Sequence, residues 1–384
     1  MPEPSRRRFL RKVAATAAAG GVAAASPSAA LAATVRQHPD RKARTRVVIL
    51  GTAGGPTYMP GGRYGVSTAV VYGDRVYIID LGLGAYQRLV QSGLGPDTDL
   101  AAAATNVRGV FFTHLHSDHT LDWPSFYLTA SANDIGRSGA PIEVFGPGAR
   151  DTLPQVLPPG RPDPHVVSPA DPAPGIRKMS GHLQEAFAQD LNDRVRATGF
   201  TPPDTMFNLH DIDVSDIWTV DPAGVPPRLS SPIPVWTDGD VRVTATLVDH
   251  RPTAPAFAFR FDTPDGSVVV SGDTTVSENL IDLAAGADYL VHEVIDEQYV
   301  ETLVAALPAD RADALRARLL GTHTTIAQVG RDVAERAGVK NLVLSHLVPA
   351  SNPERRWRQA QRGFSGNLVV GHDLMDLPVG GRRS

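Results

Sequence analysis

Short apolar runs recur along the chain, and several empty into loops rich in histidine and aspartate. Arg46–Leu50 reads as a strand that ends in the glycine-rich loop Gly51–Pro56. Ser67–Tyr72 and Val76–Asp80 read as two strands joined at Gly73-Asp74, a hairpin signal. Gly84–Gln91 follows as a short helix, Val110–Phe112 as a buried strand, a helix opens near Trp123-Pro124, and Ile142–Gly146 is a further strand. From Asp151 to about Val235 the rhythm breaks: 15 of the 32 prolines fall there, too many for a compact βα repeat. Inside it Leu183, Phe187, Leu191 and Val195 recur at four-residue steps, which predicts one amphipathic helix over Ser180–Gly199. The segment therefore reads as an insertion, a lid over a site formed by the rest. Beyond it the α/β pattern restarts. Strands are predicted at Val241–Asp249, Ala256–Phe261, Ser267–Gly272, Asp288–Glu293, Asn341–Ser345 and Asn367–His372. Helices are predicted at Val276–Ala285, Pro308–Leu319, Thr325–Ala337 and Pro353–Arg362.

The polar loop after Val110–Phe112 carries the densest chemistry. His114, His116, Asp118 and His119 lie within six residues. Side chains two apart on an extended chain share a face, so His114 and His116 can reach one point. Asp118 and His119 follow where the chain turns and can aim at a second point nearby. Imidazole and carboxylate donors suit zinc, manganese or iron. The chain has no cysteine, so thiolate ligands and disulfides are excluded. Three further candidate ligands, His250, Asp273 and His346, stand at predicted strand C-termini, where loops build sites.

His114-Leu-His-Ser-Asp-His119 is a His-x-His-x-Asp-His motif, and over about Arg46–Pro378 the chain resembles the metallo-β-lactamase superfamily. Leu247-Val-Asp-His250, Ser271-Gly-Asp-Thr274 and Leu342-Val-Leu-Ser-His346 match it in the same order. The resemblance implies an α/β fold, the αββα four-layer sandwich, with the Pro-rich helical insertion added to it. It implies two divalent metal ions, zinc first, with manganese or iron as alternatives. His114, His116 and His250 would hold one, Asp118, His119 and His346 the other, and Asp273 would bridge them. A hydroxide shared by the two would be the nucleophile, oriented by Asp118. Asp80 would brace the histidine loop from behind. Within the superfamily the chain is most similar to the ribonuclease Z, zinc phosphodiesterase and arylsulfatase-like branch. Val291-His-Glu293 and Gly321-Thr-His-Thr-Thr325 carry that likeness, with Thr322 separating glycine from histidine. By position, His323 would protonate the leaving oxygen and Glu293 would orient it. His182 and His210 stay unassigned, and Tyr58, Tyr64, Trp123, Phe126 and Tyr127 are read as core before substrate wall.

Charge and targeting then narrow the reading. Residues 1–32 combine Arg6-Arg7-Arg8-Phe9-Leu10-Arg11, the apolar run Val13–Ala25 and Ala30-Leu31-Ala32. This reads as a twin-arginine signal peptide, too short to span a bilayer, addressed to the twin-arginine export machinery. Residues 33–384 would be the exported hydrolase, periplasmic or extracellular. Removing a segment of net charge +4 from a chain of net −4 leaves about −8. An acidic balance counts against a nucleic-acid partner. The expectation is thus an exported binuclear hydrolase of small phosphodiesters or aryl sulfate esters, with a homodimer left open. A ribonuclease Z-like tRNA 3′-end endonuclease and a lactonase or other carboxylic ester hydrolase are the alternatives.

Overall fold

A computed structural model describes residues 43–56, 62–96, 101–157 and 159–380. The expected signal peptide at residues 1–32 and Tyr58 lie outside the described residues. Fourteen strands are present: β1 (Thr45–Gly51), β2 (Ser67–Tyr72), β3 (Arg75–Ile79), β4 (Val107–Phe111), β5 (Ile142–Pro147), β6 (Phe207–Ile212), β7 (Ile233–Asp238), β8 (Val241–Leu247), β9 (Phe257–Thr263), β10 (Gly266–Val270), β11 (Tyr289–Ile295), β12 (Asn341–Val348), β13 (Asn367–Val370) and β14 (Met375–Val379). They form two sheets, ordered β14-β1-β2-β3-β4-β5-β6 and β13-β12-β11-β10-β9-β8-β7. In each, three antiparallel pairings adjoin three parallel ones.

Alternation along each strand builds the layers. In β1, Val47 and Ile49 face the opposing sheet, whereas Val48 and Leu50 face the outer helices. In β9, Phe257, Phe259 and Phe261 fill the space between the sheets. The outer face of the first sheet packs under helices Ala85–Ser92, Trp123–Thr129 and Ile176–Ala186, and that of the second under Glu278–Leu283, Ile326–Ala337 and Glu354–Trp357. This is the expected αββα sandwich. The helix expected over Thr325–Ala337 contains a π-helical stretch, Val329–Ala334, where Gly330 lies against the Ala360 carbonyl: a Cβ there would come within 1.9 Å of it.

The Pro-rich segment departs from its reading. It supplies both β6 and β7, the last strand of each sheet, paired respectively with β5 and β8. Pro234 is tolerated in β7 because an edge strand has a free side. The single helix expected over Ser180–Gly199 is two, Ile176–Ala186 and Ala188–Thr198, broken at Phe187. Ser180 is buried inside the first, where it accepts from Trp123 Nε1 at 3.0 Å and donates to the Ile176 carbonyl at 2.8 Å. Ser180 thus lies within the helix, which begins at Ile176 after Gly175. Gly199 does close the second helix in a left-handed conformation. Trp123, Phe126 and Tyr127 are core residues. Among the described residues no helix is long and apolar enough to cross a membrane.

Candidate metal centre

In the second sheet β10, β11 and β12 pair in parallel, and β8, antiparallel to β9, runs in their direction, so the C-terminal ends of these strands lie on one side of the sheet. His114 follows β4, His250 follows β8, Asp273 follows β10, Glu293 lies in β11 and His346 in β12. The structure brings all seven predicted ligands together. His114, His116 and His250 form one cluster, and Asp118, His119, Asp273 and His346 another, each with its ligand atoms within 4.8 Å of one another. Asp273 spans both. Its Oδ1 is 3.3 Å from His119 Nε2 and 3.3 Å from His346 Nε2, while Oδ2 is 4.0 Å from His114 Nε2 and 3.8 Å from His250 Nε2.

The far side of four of the five rings is held, which fixes the nitrogen each presents, whereas His346 Nδ1 is buried without a hydrogen-bond partner among the described residues. His119 Nδ1 pairs with Asp80 Oδ2 at 2.8 Å, and His250 Nδ1 donates to the Thr322 carbonyl at 2.9 Å. Thr113 Oγ1 lies 3.1 Å from His114 Nδ1, and Thr253 Oγ1 2.8 Å from His116 Nε2. Asp80 also accepts from the Thr113 amide and hydroxyl, both at 2.8 Å, so it braces the loop as expected. Asp80 and His346 adopt left-handed backbone at φ 58° and 42°, strain of the kind found where function over-determines geometry. The glycine loop closes over the rim: Gly55 N donates to Asp118 Oδ2 at 3.0 Å. A Cβ on Gly54 would sit 2.4 Å from His346 Nδ1, so only glycine leaves that ring its place.

Electrostatics suit cations. Burial, reinforced by the neighbouring imidazoles, holds His114 well below its ordinary pKa, and burial sets His250 at about 3. Both rings present a lone pair at neutral pH. Burial opposes ionisation of Asp118 and Asp273, yet the charges of His119 and His346 outweigh it and keep both carboxyls well below the usual range. His119 Nε2 and Asp273 Oδ1 are buried without an aligned hydrogen-bond partner among the described residues. Such orphans cost about 1–3 kcal/mol each in a closed site. A cation between them removes that cost, and a set of imidazoles and two carboxylates fits divalent ions.

Beside the clusters, His323 Nδ1 is 3.1 Å from Glu293 Oε1 and 3.9 Å from Asp273 Oδ2. Burial lowers the His323 pKa, but the charge and hydrogen bond of Glu293 and the charges of Asp273 and Asp118 outweigh it and raise it to about 9. Glu293 Oε1 also accepts from the Thr274 and Thr324 amides, each at 3.1 Å, so the carboxylate is fixed. The extra residue Thr322 costs nothing here, because it ends the preceding helix and its carbonyl holds His250.

A cavity of about 320 Å³ opens over the clusters. Its walls are Gly54–Pro56, Tyr299 and Leu303, Arg318 and Leu319, and Val348–Ala350. Among the described residues that line this cavity none comes from 151–235. His182 is exposed beside Asp171 at 3.3 Å, and His210 stacks on Phe145 with Glu143 at 2.6 Å. Neither reaches the centre. Tyr299 and Arg318 carried no signal in the sequence, since both sit on helices rather than at strand ends.

Residues 60–316 match the metallo-beta-lactamase superfamily, and the chain belongs to that superfamily, as a metal-dependent hydrolase of phosphodiester or ester bonds. Its place there is the ribonuclease Z branch. It is 31% identical over 342 residues to Ribonuclease Z of Mycobacterium bovis (strain BCG / Pasteur 1173P2), covering 88% of this chain and 99% of the relative. It is 30% identical over 342 residues to Ribonuclease Z of Mycobacterium tuberculosis (strain ATCC 25618 / H37Rv), with the same coverage. In fold it is similar to human tRNase Z, short form, at TM-score 0.54, with 19% identity over 88% of this chain and 100% of that one. It is also similar to YhfI from Bacillus subtilis, at TM-score 0.51, with 16% identity over 86% and 98%.

These relatives overturn two expectations. A hydrolase of small phosphodiesters or aryl sulfate esters is not what they are, and a nucleic-acid partner is not disfavoured, because they are ribonucleases. Net charge is a poor guide to the partner because a sum over the whole surface does not give the potential over one cleft. Here the cleft itself holds an arginine, Arg318.

Proposed function

We propose that the chain is a ribonuclease Z-type phosphodiesterase that cuts precursor tRNA near its 3′ end. The observation that carries this is the Glu293–His323 pair seated beside two metal-ligand clusters, in a chain similar to Ribonuclease Z over nearly its whole length. His114, His116 and His250 would hold one divalent ion, Asp118, His119 and His346 the other, and Asp273 both, with zinc favoured by the nitrogen-rich donor set. Bound there, the two ions would acidify a water and neutralise charge on the phosphoryl group. Asp118, anchored by the Gly55 amide, orients the attacking water. His323 gives its proton to the leaving oxygen as the phosphorus–oxygen bond breaks, and Glu293 keeps the ring protonated and aimed until then.

The test is cleavage of a precursor tRNA with a 3′ trailer at physiological salt. One discrete cut is expected, abolished by chelator and restored by zinc. Absence of any cut with zinc, manganese or iron overturns the reading. Export through residues 1–32 is a separate proposal, supported by the twin arginine and the small-x-small site at Ala30–Ala32. Failure of that segment to carry a folded reporter out of the cytoplasm would refute it.

A further inference from the structure

The two helices between Glu293 and His323, Glu297–Val304 and Ala309–Thr322, pack on each other through Val300, Val304 and Ala312 with Leu315, Leu319 and Leu320. Each turns a four-residue-spaced pair toward the cavity: Tyr299 and Leu303 from one, Arg318 and Thr322 from the other. Arg318 is the only lysine or arginine among the described cavity-lining residues. It is exposed, and among the described residues it has no carboxylate partner. The contrast lies two residues away, where Arg316 pairs with Glu301 and Asp313, both at 2.7 Å, outside the cavity. An unpaired guanidinium over two clusters built for phosphoryl chemistry is a fork for phosphate oxygens. A half-buried Tyr299 ring with no hydrogen-bonded partner beside it offers a face on which a base can stack.

We propose that this helix pair is the RNA-gripping wall of the site: Arg318 binds a phosphate that flanks the scissile one, and Tyr299 stacks an adjoining base. The inference rests on the ribonuclease reading and goes beyond it by assigning the contacts that seat the strand. A phosphate one linkage away keeps its charge throughout the reaction, so the arginine contributes mainly to binding and register.

The experiment is a cycle between protein and substrate. The probes are a precursor tRNA and two versions carrying one uncharged methylphosphonate, at the linkage before or after the scissile bond. Arg318→Ala should lower kcat/KM on the unmodified RNA roughly 10- to 100-fold, the worth of a charge-assisted bond. It should also make the salt dependence shallower by about 0.7 in log–log slope. At one of the two linkages the methylphosphonate should cost the wild-type enzyme as much and cost Arg318→Ala nothing more. Arg318→Lys should recover part of the loss. Tyr299→Phe should cut normally, whereas Tyr299→Ala should lose roughly 10-fold. Arg311→Ala, on the same helix but not lining the cavity, is the unaffected control. Losses that multiply at both linkages, or an Arg318→Ala enzyme with wild-type kinetics, overturn this inference and leave the ribonuclease reading standing. A wild-type enzyme that cuts no RNA overturns both.

Discussion

Asp80 is not expected to touch metal or RNA, yet its carboxylate decides which nitrogen His119 offers. It is buried and accepts three hydrogen bonds of 2.8 Å, from the Thr113 amide, the Thr113 hydroxyl and His119 Nδ1. Asp80→Asn keeps the shape and tolerates the left-handed backbone at φ 58°. An amide, however, has one accepting oxygen. With that oxygen toward the Thr113 amide, its NH2 faces His119 Nδ1, and the ring must move its proton to Nε2, the atom aimed at the metal. Turned the other way, the NH2 opposes the Thr113 N–H. Losing charge assistance on three buried bonds, at about 1 kcal/mol each, predicts roughly 3 kcal/mol of lost stability. The displaced proton predicts a 10- to 100-fold weaker site at the Asp118–His119–His346 cluster, with the His114–His116–His250 cluster spared. Titration of metal-free protein against a competing chromogenic chelator, beside thermal melts, measures both. Two equally tight sites in Asp80→Asn would refute the claim that this carboxylate sets the tautomer.

Gly54→Ala should push the His346 ring and weaken the same cluster about 10-fold or more, at a cost of about 1–3 kcal/mol; wild-type metal affinity would count against the packing argument. Glu293→Gln removes the main support for the His323 proton, so the alkaline limb of kcat/KM should move about one pH unit lower. An unmoved limb would mean that His323 is not the acid. His323→Ala should lose most activity on RNA and least where the leaving group is good. The metal-free protein should be most stable near pH 6.5. Below that, His114, His116 and His250, whose pKa values are lowered first by burial, stay neutral while the unfolded chain takes up protons, so stability falls as pH falls. Above it, His119 and His323 keep protons that the unfolded chain loses: burial opposes this, but neighbouring carboxylates prevail. Stability then falls as pH rises through about 9. Chemical denaturation of chelator-treated protein from pH 5 to 9 checks this, and a flat profile would refute it.

What could be read from the chain alone was whatever is local. His114 to His119 sit in one loop, and His250, Asp273 and His346 end apolar runs, so the donor set was legible before any fold was known. The strands were legible for the same reason, because Val47 to Leu50 or Phe257 to Phe261 alternate or run apolar within a few residues. The helix break at Phe187 was hidden because Leu183 and Leu191 keep helical spacing across it. The edge strand β7 was hidden by Pro234, which an edge tolerates, and β6 by Asn208, His210 and Asp211, which leave its Phe207–Ile212 run too polar to stand out. Arg318 was illegible in kind: only the packing of Ala312 and Leu320 against Val300 and Val304 decides that it faces the cleft while Arg316 faces away.

The Ala309–Thr322 helix has both ends of its work on one rod. Its last carbonyl pins His250, the next residue is His323, and one turn back stands Arg318. Such a wall can be repainted by substitution, but it cannot be re-phased. One residue added between Arg318 and Thr322 would swing the guanidinium by about 100° around the axis while the histidines stayed put. Natural or engineered changes of strand preference should therefore arise at Tyr299, Leu303 and Arg318 by exchange, and insertions should collect in the turn before Ala309, where nothing downstream keeps count.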